Sequence, residues 1–188
     1  MIIDDVMTDK ITLHGLGFVQ VQLEGNQRLH VWHPELPRRA CFEHSAIHDH
    51  RFDFTSRVLV GTQINHVYAM QRKHDGEFVL YLHEGKRTAN GGRPWTPDGH
   101  ADLTPLPSFE VPAGKDYDST AYIYHRTEPG GDGRVATIMA KRSEYPAGAH
   151  STCRHGVQPD TDFDRYQWSP AQLWEIVADV MLGQKVMP

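Results

Sequence analysis

Short stretches of alternating residues, each closed by turn-forming residues, run through most of this chain and favour a fold built from β-strands. Residues 18–23 alternate with a period of two before a turn at 24–26, and residues 28–33 repeat the pattern until Pro34. Further strands are predicted at residues 54–60, 63–70, 78–82, 122–125 and 135–139. Many short strands at even spacing are typical of a closed β architecture.

Two of the connections between these strands have their own signals. Gly61 and Thr62 separate two apolar strands and indicate a β-hairpin. Residues 90–107 are rich in glycine and proline and indicate a long loop, at a rim or forming a lid.

One helix is predicted, near the C-terminus, at about residues 169–182. Ser169 can cap it, Pro170 suits its first position, and Gly183 is placed to end it. Its apolar residues recur at helical spacing, at Leu173, Ile176, Val177, Val180 and Met181. We therefore expect an all-β fold with one C-terminal α-helix packed on its outside, in a single domain over residues 1–188.

Two histidines, His48 and His50, stand two residues apart just before a strongly apolar segment. Residues two apart in a strand point to the same face, so both rings could bind one ion. The chain contains 13 histidines, and a neutral imidazole is a good metal ligand near pH 7. The motif is short, so the alternative is two unliganded histidines on an exposed strand.

The surroundings of this pair resemble the first motif of the cupin superfamily, in which H-x-H precedes a strand and a glycine turn. Gly61 follows His50 by eleven residues, and residues 112–114, Pro-Ala-Gly, resemble the turn of the second cupin motif. The resemblance covers about residues 28–140. It implies a cupin fold, a double-stranded β-helix or jelly-roll barrel, here at about residues 11–142.

Residues 45–50, Ser-Ala-Ile-His-Asp-His, resemble most closely the iron-binding segment of the cysteine dioxygenase family of cupins. That family uses three histidines, and its third histidine matches His125. The resemblance implies one divalent transition metal on His48, His50 and His125, with iron(II) preferred, although imidazole also accepts zinc, nickel and manganese. Asp53 is the competing third ligand, but its odd spacing from His50 turns it to the other face of a strand.

Around the metal, the chain is expected to differ from cysteine dioxygenases. The serine, histidine and tyrosine that follow the third ligand in that family align with Ala136, Ile138 and Ala140, which argues against thiol oxidation.

Other side chains are candidates for binding and catalysis. The candidate substrate-binding residues, which could hold an anion, are Arg28, Arg57 and Arg126. The candidate catalytic residues, as acids or hydrogen-bond donors, are Tyr117 and Tyr124. Surface ion pairs and barrel packing are the alternative roles for these arginines and tyrosines.

The function implied by these residues is oxygen-dependent oxidation of a small polar molecule at the metal. A metal-dependent isomerase or epimerase of sugars is an alternative, in which a carboxylate or tyrosine moves a proton. A non-catalytic small-molecule-binding cupin is another, because such barrels also serve that role.

Composition excludes several partners. The formal net charge of -5 argues against a nucleic-acid binder, and no apolar run approaches the roughly 20 residues that span a bilayer. Cys41 and Cys153 are expected to be free thiols, and residues 1–5 lack the pattern of a secretory signal, so we expect a cytoplasmic protein. We also expect a homodimer, with the N-terminal segment as a candidate exchanged strand.

Overall fold

Antiparallel β-strands make up most of the computed structural model, which describes residues 10–183. The strands are β1 Ile11–His14, β2 Phe18–Gln22, β3 Gln27–Trp32, β4 Phe52–Val60, β5 Thr62–Arg72, β6 Phe78–His83, β7 Thr96–Pro105, β8 Phe109–Pro112, β9 Asp116–Ser119, β10 Tyr124–Pro129, β11 Val135–Glu144 and β12 Ala149–Arg154. The helices are α1 Phe42–Ser45 and α2 Pro170–Leu182. The N-terminal segment expected to be exchanged in a dimer, residues 1–9, lies outside the described residues.

The strands form two sheets. The first has the order β1-β2-β3-β11-β4-β9, and the second has the order β10-β5-β7-β6-β12, with β8 also paired to β5. The predicted β-rich fold with a C-terminal helix is therefore confirmed. None of the helices in the described part of the chain is long and apolar enough to span a bilayer.

The two faces of the first sheet have different roles. Val19 and Val21 on β2 and Leu29 and Val31 on β3 are almost fully buried in a core that includes apolar residues of α2. The alternate residues of the same strands, which include Arg28, line a cavity. Successive side chains of a strand point to opposite faces, so the period-two pattern separates the core from the cavity.

Helix α2 has the ends that its sequence predicts. The Ser169 hydroxyl accepts a hydrogen bond from the Gln172 backbone N–H, and the Gln172 side chain accepts one from the Ser169 backbone N–H. Gly183 ends the helix with a φ of 62°. This capping box and left-handed C-terminal residue satisfy backbone groups that a helix end otherwise leaves unpaired, and they help to hold α2 against the first sheet.

The turn at Gly61 does not connect a hairpin. Strand β4 pairs with β11 and β9, whereas β5 pairs with β10, β7 and β8, so the chain passes from one sheet to the other at Gly61. The hairpin prediction is wrong because a turn signal marks a reversal of the chain but does not select the strand that pairs next.

Two other predicted boundaries are corrected. Within the predicted loop at 90–107, residues 96–105 form β7, whose hydrogen-bond partners on β5 and β6 are remote in sequence and override the local glycine and proline content. Strand β10 begins at Tyr124 instead of Tyr122, because Tyr122 adopts a positive φ of 62°, which interrupts an extended chain.

Gly61→Ala is expected to be strongly destabilising. Gly61 has a φ of +72°, and an added Cβ would clash with the carbonyl oxygen of Arg134. Gly114→Ala is the matched control, since Gly114 has a φ of +84° but no atom within 4 Å of the added Cβ. The control should lose about 1 kcal/mol for its backbone conformation, and Gly61→Ala about 2 kcal/mol more for the clash. Urea unfolding measures the free energy of unfolding of each variant, and an equal loss in Gly61→Ala and Gly114→Ala would contradict this expectation.

Candidate metal centre

The short segment that carries the histidine pair lies between the two outer strands of the second sheet. The backbone N–H of His48 donates to the carbonyl of His125 on β10 at 3.0 Å, and the N–H of His125 donates back at 2.9 Å. On the other side, the N–H of Asp49 donates to the carbonyl of His150 on β12 at 2.9 Å. These backbone hydrogen bonds fix the orientation of the segment and bring His125 beside the pair.

Three histidine rings meet at this point. The ring centroids are 4.9 Å apart for His48 and His50, 4.7 Å for His48 and His125, and 5.0 Å for His50 and His125. One ring nitrogen from each residue lies within 4.8 Å of the other two. Asp49, between the paired histidines, is buried and accepts a hydrogen bond from the His150 N–H at 2.6 Å. The three histidines could therefore hold one metal ion.

Hydrogen bonds to the backbone select the tautomer of two of these rings. His48 Nδ1 lies 3.0 Å from the carbonyl oxygen of Ala46, and His125 Nδ1 lies 2.9 Å from that of Ile123. A carbonyl oxygen can only accept, so Nδ1 carries the proton in both rings and Nε2 keeps its lone pair. This is the arrangement that metal-binding histidines usually show.

Burial keeps the three imidazoles neutral. It is the main cause that lowers the pKa of His48 to about 3, and the neighbouring His125 lowers it further. Burial likewise lowers the pKa values of His50 and His125. All three rings are therefore neutral at pH 7, which is the state that binds a metal.

Asp53 faces away from this cluster. Its Oδ1 accepts a hydrogen bond from the Ala121 N–H at 2.8 Å, and its Oδ2 accepts one from the Tyr145 hydroxyl at 2.9 Å. Both carboxylate oxygens are thus engaged outside the cavity. Of the two candidates for the third ligand, the geometry brings His125 to the histidine pair and leaves Asp53 on the other face of β4.

A cavity of about 320 Å³ lies beside the histidines and is bounded by both sheets. Apolar parts of its wall come from Phe18, Trp32 and Phe54. His83 on β6 also borders it and has both ring nitrogens engaged, with the Pro94 carbonyl at 3.0 Å and the Ser151 hydroxyl at 2.9 Å. The cavity offers space for a small molecule next to the candidate metal position.

The three candidate substrate-binding arginines have different surroundings. Arg28 lines the cavity. Arg126 also borders it, but its Nη2 lies 2.6 Å from the Glu128 carboxylate. Arg57 is exposed, pairs with Asp116 at 3.2 Å and is not among the residues that line the cavity. The reason is strand alternation, which turns Arg57 outward between two inward-facing neighbours.

The two candidate tyrosines are also separated. Tyr117 lines the cavity, where its hydroxyl accepts a hydrogen bond from Gln63 Nε2 at 2.8 Å, and burial raises its pKa. Tyr124 packs in a core with Leu80 and Ala101 and is not among the residues that line the cavity. Tyr124 immediately precedes His125 on β10 and therefore points to the opposite face of the strand.

The cavity-facing positions of β11 differ by one residue from those that the resemblance to cysteine dioxygenases implies. Ala136 is buried in the core against α2, whereas Thr137, Met139 and Lys141 line the cavity. A shift of one residue reverses the faces of a strand, so Ala136, Ile138 and Ala140 do not line the cavity. Thr137, Met139 and Lys141 also differ from the serine, histidine and tyrosine that follow the third ligand in cysteine dioxygenases.

Several cavity residues were not predicted. His14 on β1 and His30 on β3 both line the cavity, as do Arg87 and Arg165. His30 could have been found from its even spacing to Arg28, since the two share a strand face. Arg87 and Arg165 lie in connecting segments, where no periodic pattern indicates direction.

The chain has no match among protein-family models, and a search of curated proteins also returns none. The structure shows a β-rich chain of two antiparallel sheets with a three-histidine site that could bind a metal.

Proposed function

We propose that this chain is a cupin-type metalloenzyme that holds one divalent transition metal on His48, His50 and His125, and that it uses oxygen to oxidise a small polar molecule. The observation that carries the proposal is the convergence of three partly buried, neutral imidazoles on one cavity. Iron(II) is the preferred ion. When bound, it would supply redox chemistry and open coordination positions.

The contact between two turns supports the cupin assignment. The Ala113 N–H, in the Pro-Ala-Gly turn, donates to the carbonyl of Gly61 at 2.9 Å, and the Gly114 N–H donates to the carbonyl of Val58 at 2.8 Å. The two segments that resemble cupin motifs are therefore hydrogen-bonded neighbours, although about fifty residues separate them in the chain.

The protein's own side chains would bind and orient the substrate. Arg28 would attract an acidic group toward the cavity. Tyr117 remains a neutral hydroxyl at pH 7, because burial raises its pKa, and can donate a hydrogen bond to substrate. Phe18, Trp32 and Phe54 would exclude water from the reacting atoms.

The choice of iron comes from the resemblance to three-histidine dioxygenases. Three neutral ligands leave the full charge of the ion in place, and zinc, nickel or manganese would also bind imidazole. Metal identity is therefore a direct outcome of the experiment below.

The purified chain should bind one equivalent of metal and consume oxygen with its substrate. His48→Ala should abolish both, whereas His44→Ala, at an exposed position of α1, should change neither. Elemental analysis after loading with iron, zinc, nickel or manganese gives the metal, and an oxygen electrode with a panel of small polar molecules gives the activity. Loss of metal in both variants, or in neither, would contradict the proposal.

Isomerisation is the second candidate, and the position of Tyr117 favours it. A neutral tyrosine in the cavity can move a proton while a metal polarises a carbonyl. Turnover under strict anaerobiosis, lost in Tyr117→Phe, would replace the oxidation proposal with this one. Tight ligand binding without turnover in either condition would indicate a binding protein.

A further inference from the structure

The cavity is rich in positive charge although the chain as a whole is acidic. The formal net charge is -5, yet eight basic and only three acidic side chains line the cavity. Arg51 is neutralised by Glu144 at 2.7 Å, and Arg126 by Glu128 at 2.6 Å. The other six basic side chains have no carboxylate within ion-pair distance among residues 10–183.

Arg28 and Arg165 are partly buried members of this set. Arg28 Nε donates to the side-chain oxygen of Gln22 at 3.3 Å. Arg165 Nε donates to the carbonyl of Leu13 at 3.1 Å, and its Nη2 donates to the Thr12 hydroxyl at 3.1 Å. All of these partners are neutral, so hydrogen bonds position both guanidinium groups without compensating their charges.

A third arginine adds to the same positive field. Arg87 is exposed and borders the cavity, so it lies at the opening. Burial, followed by the charge of Arg87, lowers the pKa of Arg28 and lowers that of Arg165 to about 10. Three like charges near one another are unfavourable in the empty protein, and an anion in the cavity would relieve this repulsion.

His30 supplies an unpaired polar atom at the same place. It lies on β3 two residues from Arg28 and lines the cavity. Its Nε2 is buried and has no hydrogen-bond partner in the described part of the chain. Burial, together with the charges of Arg28 and Arg165, lowers its pKa to about 3, so the ring is neutral. Buried polar atoms normally have a partner, so this nitrogen points to a ligand.

We infer that the cavity binds a small organic acid carrying two negative charges, which are held by Arg28, Arg165 and His30. One negative charge would leave one guanidinium group of this pair uncompensated, whereas two match the pair. Arg39, the buried arginine of the lining, instead donates to Ser45 and lies over the ring of Trp95. Arg87 at the opening would draw the acid in. A volume of about 320 Å³ limits the ligand to a small molecule. This inference rests on the proposed function, which makes the cavity a substrate site, and it adds the chemical class of the substrate.

Dicarboxylates and phosphate monoesters share this chemistry, and calorimetric titration can distinguish them. Metal-free protein in low-salt buffer is titrated with succinate, with glycerol 3-phosphate and with butyrate, a monoanion of the same chain length as succinate. At least one dianion should bind with an affinity at least about 10-fold higher than that of butyrate, and added salt should weaken the binding of that dianion. The tighter of the two identifies the acidic group. Equal binding of all three, or no binding, would overturn the inference.

Arginine variants test the location. Arg165→Met and Arg87→Met should each weaken binding of the preferred dianion by about 10-fold or more. Arg57→Met is the matched control, because Arg57 pairs with Asp116 outside the cavity, and it should bind as the native chain does. Arg165 also forms hydrogen bonds with β1, so Arg165→Met can unfold the protein, which circular dichroism would show. In that case the variant of the exposed Arg87 tests the inference.

Equal weakening in Arg87→Met and Arg57→Met would mean non-specific attraction and would overturn the inference. The titrations need neither metal nor oxygen. If no dianion binds, the metal proposal is unaffected. If the protein binds no metal, the result of the dianion titrations is unaffected.

Discussion

His125→Ala should lower the affinity of the protein for a divalent metal by more than about 100-fold. Loss of a residue that only orients a metal ligand typically costs about 10- to 100-fold, and removal of a ligand itself should cost more. Two histidines close together would remain, with centroids 4.9 Å apart, and they are too few to complete the site. Competition titration against a chelating dye measures the affinity directly.

Asp53→Asn is the matched comparison for this variant. Asp53 binds Ala121 and Tyr145 on the outer side, so its replacement should leave metal affinity within a factor of about two. Circular dichroism of both variants checks that the fold is retained. If His125→Ala kept its metal while Asp53→Asn lost it, the three-histidine assignment would be wrong, and so would the main reason for preferring an iron dioxygenase.

The metal-free protein should lose stability as the pH falls below about 6.5. Burial lowers the pKa values of His30 and His48 to about 3. Between the folded and unfolded pKa values the unfolded chain binds more protons, so acid favours unfolding. Each of these histidines should cost roughly 1.4 kcal/mol per pH unit, and the two together roughly 2 to 3 kcal/mol between pH 6 and pH 5. Urea unfolding at several pH values measures this slope.

His30→Gln should reduce the pH dependence of the free energy of unfolding by about the contribution of one histidine. His150 acts in the opposite direction, because Asp49 and Asp98 raise its pKa. Its stabilisation is complete in acid and is lost as the pH rises through its folded pKa, so it does not cancel the loss below pH 6.5. A free energy of unfolding that stays constant between pH 5 and pH 7 would contradict the prediction.

The histidine pair was predictable because its geometry is local. Residues 48 and 50 are two apart in an extended segment, and a strand places such side chains on one face whatever surrounds it. The same rule predicts that Asp53 faces the other way, which the structure bears out. Applied consistently, it would also have placed Arg57 and Tyr124 outside the cavity lining.

His125 could be reached only through a family resemblance. It lies more than seventy residues after His50, and its position depends on two backbone hydrogen bonds between β10 and the segment that carries His48. Pairings over such distances follow from the packing of the whole chain, and no periodic pattern in either segment indicates them.

The sequence by itself determined the elements whose signals are local: the alternating strands, the capped helix α2 and the shared direction of His48 and His50. Only the tertiary structure decided which strands pair across Gly61, that residues 96–105 join a sheet, and that Arg28, Arg165 and His30 border the cavity beside the metal site. The physical reason is that propensity and period act over a few residues, whereas strand pairing and cavity lining depend on contacts between segments that are far apart in the chain.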